Sequence, residues 1–131
     1  MDIPEKYKTL SYQITGACYL VGQKLGCGFL EKVYEKCLCY ELKQKGLVPE
    51  PQKEIRILYD GIDLDLQYFA DIVVNGEVII ELKAVSELTD IHRSQLQHYL
   101  KATGMEFGML INFGSKSVQI ERFANYADFK R

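Results

Sequence analysis

The sequence predicts an α/β fold in which a mixed β-sheet is flanked by helices, with the elements in the order α-α-β-β-β-α-β-β. Three segments place apolar residues at helical spacing, whereas five others are short apolar runs bounded by turn residues. A helical segment also separates the third and fourth strands, and a crossover helix of this kind joins parallel strands. At 131 residues, we expect a single domain covering 1–131.

The two helices at the start of the chain are separated by a glycine-rich break. The first runs over about 4–25, with an apolar face that includes Leu10, Ile14 and Val21. The second runs over about 30–45, and Gly46 follows it as a typical C-terminal stop.

The strands follow a proline-containing loop. Three are predicted at 55–59, 64–74 and 78–84, joined by Asp-Gly and Asn-Gly turns. A helix at 90–103 comes next, with Thr89 or Asp90 as N-cap and Gly104 beyond its end. The last two strands are predicted at 107–113 and 118–123.

Composition excludes several classes of protein. No apolar run approaches the roughly 20 residues that span a bilayer, and no export signal is visible, so we expect a cytoplasmic protein that does not enter membranes. The net charge of −2 argues against a protein held to nucleic acid by bulk electrostatics. Four cysteines without C-x-x-C spacing indicate reduced thiols, with an iron–sulfur or zinc site as the alternative.

The charges are unevenly distributed. Residues 60–90 carry one Lys or Arg against eight Asp or Glu, whereas residues 1–59 and 91–131 both carry an excess of basic residues. This acidic segment favours a divalent cation over a bare phosphate, although a solvated acidic region would give the same pattern.

Within the acidic segment, the stretch ADIVVNGEVIIELK has a buried-strand interior with charged residues near its ends. Glu81 and Lys83 are two residues apart and project from one face of a strand. A two-residue turn at Asn75-Gly76 would place Asp71 on the other face, whereas a three-residue loop with Gly76 left-handed, or a bulge, brings it to Glu81. A common site therefore requires an odd-length loop or a bulge.

If these side chains converge, two carboxylates and a main-chain carbonyl, for which we expect Leu82, form an all-oxygen shell suited to Mg²⁺ or Mn²⁺. Such an ion polarises phosphate and generates hydroxide from water. Lys83 would position the attacking water and neutralise charge on the phosphorane. An exposed ion pair at a strand end remains the alternative.

The pattern D-x9-E-x-K, formed by Asp71, Glu81 and Lys83, resembles the active-site signature of the PD-(D/E)XK nuclease superfamily, with Ala70 in place of the proline. Upstream, GFLEKVY matches G-x-x-E-x-x-Y, and downstream QLQHY matches the Q-x-x-x-Y of RecB-like members. Together these motifs resemble the small bacterial GxxExxY proteins over nearly the whole chain.

The resemblance implies a restriction-endonuclease-like core and a metal-dependent phosphodiesterase site that acts on nucleic acid, with DNA expected. It implies that Asp71 and Glu81 are the principal metal ligands, that Glu31 is a direct or outer ligand, and that Lys83 is the catalytic lysine. Gln95 and Tyr99 would orient the catalytic site and contact the nucleic-acid backbone. The same helix face carries His92, a substrate-contact candidate or a capping or surface histidine. On the second helix, Tyr34 is a further substrate-contact candidate that either hydrogen-bonds Glu31 or packs that helix.

Three functions are therefore open. The first is a Mg²⁺- or Mn²⁺-dependent nuclease or nuclease subunit, for which a homodimer or a partner protein would supply further binding surface. The second is a non-catalytic interaction module with the nuclease fold, and the third is a hydrolase of a smaller phosphodiester.

Overall fold

The computed structural model describes residues 3–125, and its helices and strands occur in the predicted order. A short 3₁₀ turn at Glu5–Tyr7 leads into the first helix. The elements are α1 (Lys8–Leu25), α2 (Glu31–Gln44), β1 (Pro49–Tyr59), β2 (Ile62–Val74), β3 (Val78–Lys83), α3 (Asp90–Thr103), β4 (Phe107–Asn112) and β5 (Gln119–Ala124). No helix within these residues is long and apolar enough to cross a membrane.

The five strands form one mixed sheet in the order β1-β2-β3-β4-β5. Only β3 and β4 are parallel, and α3 is the crossover between them, as the sequence predicts. Alternating residues of the central strands point to opposite faces, so each face buries a separate apolar cluster. One cluster packs beneath α1 and α2 and the other beneath α3.

Helix ends follow their predicted signals. Gly46 adopts φ 80° after α2, and Gly104 adopts φ 73° while its N–H donates to the Leu100 carbonyl. Thr89 is the N-cap of α3. All four cysteines are free thiols.

The first strand is longer than predicted. β1 begins at Pro49, whereas the sequence predicts a loop through Pro49 and Pro51 and a strand from residue 55. Proline lacks the N–H that a central strand must donate, but β1 is an edge strand, where one side of the backbone needs no strand partner. The extension matters because it carries Gln52 alongside β2.

Candidate active site at the parting of two strands

The loop between β2 and β3 has an odd number of residues. Val74 pairs with Val78, so three residues, 75–77, form the connection. Asn75 and Gly76 both have left-handed backbones, with φ 54° and 68°. Continuing the register of Ile72 with Ile80 by one position sets Asp71 opposite Glu81. The loop geometry on which a common site depends is therefore present.

The pairing of β2 with β3 extends to Ile72 and Ile80 and ends there. Beyond this pair, carboxylate oxygens in place of main-chain carbonyls accept the backbone N–H groups of Asp71 and Leu82. The Leu82 N–H donates to Asp71 Oδ2 at 2.8 Å, and the Asp71 N–H donates to Glu81 Oε1 at 3.5 Å. Because the N–H and C=O of a strand residue point toward the same neighbour, the Leu82 carbonyl also points into this gap. Both carboxyl groups thus bond backbone N–H groups at this gap.

Both acids are half-buried, and their burial disfavours the charged form. Burial raises the pKa of Glu81 to about 7, and the nearby Glu31 carboxylate adds to this, although the Asp71 N–H and Lys83 lower it. Burial also raises the pKa of Asp71, and Glu35 contributes in the same direction, against the lowering effects of the Leu82 N–H and Lys83. A bound divalent cation would favour the charged form of both groups and so offset the free-energy cost of ionising them.

Lys83 is half-buried on the same strand end as Glu81. It makes no ion pair within residues 3–125, yet its charge lowers the pKa of both Asp71 and Glu81. The amine is therefore near both acids without being neutralised by a short contact to either.

Glu31 is the first residue of α2 and is exposed. It lines a cavity of about 100 Å³ together with Lys32, Glu35, Gln52, Asp71 and Leu82. The helix start thus brings another carboxylate to the cavity that contains Asp71, whereas Glu81 is not among the residues that line it.

Sequence reasoning missed Gln52 and Glu35. Gln52 adopts φ 50°, which is uncommon for a residue other than glycine, at the point where the pairing of β1 with β2 skips Asp71. Its amide donates to Glu35 Oε1 at 2.7 Å, and a further hydrogen bond from it lowers the pKa of Asp71. A backbone held in this conformation costs about 1 kcal/mol or more.

Sequence reasoning also missed Tyr68, whose hydroxyl hydrogen-bonds Glu81 Oε1. The Tyr68 ring stacks on Tyr99, with ring centroids 3.8 Å apart and planes 20° from parallel. Tyr99 is therefore connected to Glu81 through the ring of Tyr68. Helical spacing in the sequence indicates Tyr99, but no sequence pattern near Tyr68 indicates that the two rings stack.

Tyr34 packs in the core and is not a substrate contact. The sequence leaves open a hydrogen bond to Glu31 or packing of the second helix, and the fully buried side chain corresponds to packing. Its hydroxyl donates to the Gly26 carbonyl at 2.6 Å and accepts the Phe29 N–H at 3.3 Å, while its ring stacks on Phe113. Tyr34 fixes the connection between α1 and α2 and is not available to substrate.

His92 and Gln95 take no part in the hydrogen bonds that Asp71 and Glu81 make within the described residues. His92 Nδ1 accepts the Thr89 N–H at 3.1 Å, so the histidine caps α3, the alternative that its position left open. Gln95 is exposed and makes no hydrogen bond within the described part of the chain. Neither side chain contacts the carboxylates.

The donor set fits a hard divalent cation. No group of three or more His, Cys, Asp or Glu side chains within residues 3–125 is close enough to hold a metal. Binding would therefore use Asp71, Glu81 and the Leu82 carbonyl, with water completing the shell, a composition that suits Mg²⁺ or Mn²⁺ and not zinc.

A model of the PD-(D/E)XK nuclease superfamily matches residues 8–123. The chain belongs to this superfamily. Its nucleases generally use divalent metals, and membership supports nuclease chemistry. The narrower assignment to GxxExxY proteins stays a prediction from the sequence.

Two solved structures are similar to the chain. The crystal structure of SSO0001 matches with a TM-score of 0.56 and 17% identity, covering 91% of this chain and 60% of that one. This chain thus spans less than two thirds of that protein. An alkaline exonuclease from Laribacter hongkongensis matches with a TM-score of 0.46 and 12% identity, over 99% of this chain and 75% of that one. No curated protein matches the chain in sequence.

Proposed function

We propose that the protein is a Mg²⁺- or Mn²⁺-dependent nuclease that hydrolyses phosphodiester bonds, with DNA as the expected substrate. The observation that supports the proposal is the gap between β2 and β3, where Asp71 Oδ2 accepts the Leu82 N–H and Glu81 Oε1 accepts the Asp71 N–H. Ionising half-buried acids with raised pKa values costs free energy that a bound cation offsets, and superfamily membership is consistent with such a cation.

In this proposal, Asp71 and Glu81 hold the cation with the Leu82 carbonyl, and Glu31 acts from the start of α2 as an outer ligand through water. The bound cation would polarise the phosphate and lower the pKa of a water molecule. Lys83 positions the attacking water and offsets the negative charge that develops on the phosphate.

Supporting side chains hold this arrangement in place. Tyr68 fixes the orientation of Glu81, and Tyr99 packs on Tyr68 from α3. Gln52 connects Asp71 to Glu35. Gln95, one helical turn before Tyr99, has its amide free to contact the nucleic-acid backbone.

A second copy of the chain, or a partner protein, remains part of the proposal. The feature that favours it is the outer part of the hairpin formed by β1 and β2, where several large apolar side chains are more than half exposed. These are Tyr59, Ile62, Leu66 and Phe69. We also propose that residues 1–131 form one nuclease-like domain and that the protein is cytoplasmic.

The test is incubation with linear, circular and single-stranded DNA in Mn²⁺. Cleavage should disappear in Lys83→Ala and persist in Lys101→Ala, a matched change near the far end of α3. Equal cleavage by wild type and Lys83→Ala would show a contaminating nuclease and leave the non-catalytic module as the better account.

A further inference from the structure

The outer face of α2, beside the candidate site, carries three exposed side chains on one stripe. Lys36, Tyr40 and Lys43 are spaced four and three residues apart, so they share a face of the helix. They line one cavity of about 310 Å³ with Glu35, Cys39 and Pro51. The face thus offers a recess with two amines and an aromatic ring.

This recess adjoins the cavity that contains Asp71. Glu35 lines both the 310 Å³ recess and the 100 Å³ cavity that contains Asp71. In the other direction, Lys36 and Tyr40 also line a cavity of about 370 Å³ that includes Lys24. Three adjoining depressions therefore follow α2 toward the carboxylates.

The cations of the central recess are available for a ligand. Lys24 pairs with Glu41 at 2.7 Å and Lys32 pairs with Glu35 at 3.0 Å. By contrast, Lys36 and Lys43 make no ion pair within residues 3–125. Phosphate contacts need such uncompensated amines, because a paired lysine must first break its existing contact.

The ring of Tyr40 is suited to stacking. The residue is 59% exposed, and its ring stacks on no other aromatic ring in the described part of the chain. An exposed aromatic ring between amines is the combination by which proteins bind single strands, because every base has a face that can stack. A duplex hides those faces within its own stack.

We propose that Lys36, Tyr40 and Lys43 bind a single strand of nucleic acid and lead it to the carboxylates. The tyrosine stacks on a base, and the two ammonium groups contact phosphates on either side of it. This inference rests on the proposed nuclease function and narrows its substrate to strands or ends that are single-stranded.

Fluorescence anisotropy with a labelled oligothymidylate tests binding in EDTA, where metal-dependent cleavage cannot occur. Lys36→Ala/Lys43→Ala should weaken binding and reduce the slope of log affinity against log salt by about 1.4, which is about 0.7 for each lost phosphate contact. Tyr40→Ala should weaken binding roughly 5- to 150-fold, whereas Tyr40→Phe should bind nearly as wild type. Lys101→Ala is the matched control and should change neither quantity.

Unchanged binding by the double lysine variant, equal binding by Tyr40→Ala and Tyr40→Phe, or tighter binding of a matched duplex would each overturn the inference. Thermal unfolding of every variant excludes loss of the fold as the cause. The nuclease proposal fails separately: binding that depends on this face without Lys83-dependent cleavage would remove catalysis and keep the strand-binding surface.

Discussion

Glu81→Gln should stabilise the metal-free protein at pH 8. The folded protein raises the pKa of Glu81 from 4.5 to about 7, so its folded form holds a proton more tightly than its unfolded form does. The stabilisation from that proton is complete below pH 4.5 and is lost as the pH rises through about 7. That difference in pKa corresponds to roughly 3 kcal/mol of unfolding free energy.

Urea unfolding in EDTA at pH 5 and pH 8 measures this effect. Glutamine keeps an oxygen that can accept the Tyr68 hydroxyl but carries no charge, so the variant should gain up to roughly 3 kcal/mol at pH 8 and much less at pH 5. Glu121→Gln is the control of opposite sign, because Glu121 pairs with Arg93 at 2.7 Å on a partly exposed surface. It should lose about 1 kcal/mol or less at pH 8.

Saturating Mn²⁺ should then stabilise wild type at pH 8 and leave Glu81→Gln nearly unchanged, because a ligand stabilises only the state that binds it. A Glu81→Gln protein that is less stable than wild type at pH 8 would refute the reasoning. In that case the carboxylate would serve the fold as a charged group, and its burial would not indicate a ligand.

Three further predictions concern two side chains that support the site and one close packing contact in the fold. Gln52→Ala should lower Mn²⁺ affinity in calorimetry by roughly 10-fold or more, because loss of a side chain that orients a metal ligand typically lowers metal affinity about 10- to 100-fold. Unchanged affinity would show that Gln52 does not support the metal site. Tyr99→Phe should retain stability because its ring still stacks on Tyr68, whereas Tyr99→Ala should lose about 1 kcal/mol in urea unfolding; equal losses would show that the hydroxyl matters instead. In urea unfolding, Gly114→Ala should be far less stable than Gly16→Ala, because the added methyl group at position 114 would overlap the Val85 backbone. The methyl group added at position 16 meets only a lysine side chain, at 3.5 Å. Similar stabilities of the two variants would contradict the close packing of Gly114 against Val85.

Much of the fold could be predicted because its signals are local. Gly46 and Gly104 end helices at left-handed positions, and the Asn75-Gly76 pair marks the connection between β2 and β3. The length of that connection could not be predicted directly, since two- and three-residue loops share the same dipeptide. The requirement that Asp71 meet Glu81 selected the odd-length loop, which the structure has.

The remaining features of the site depend on contacts between distant segments. Tyr68 and Tyr99 meet only when α3 packs on the sheet, and Gln52 reaches Asp71 only because β1 extends through two prolines. The sequence left two roles open for Tyr34 for the same reason, since helical spacing places it near Glu31 but does not show whether the core covers it. Spacing identifies a shared face, whereas burial depends on the whole fold.

The central claim is that Asp71 and Glu81 together bind one divalent cation between the parted strands. Calorimetric titration of Mn²⁺ into wild type, Asp71→Asn and Glu121→Gln at pH 8 tests it most directly. The account predicts saturable binding at one site in wild type and in Glu121→Gln, and none in Asp71→Asn. Equal binding by Asp71→Asn, or no saturable binding by wild type, would contradict it.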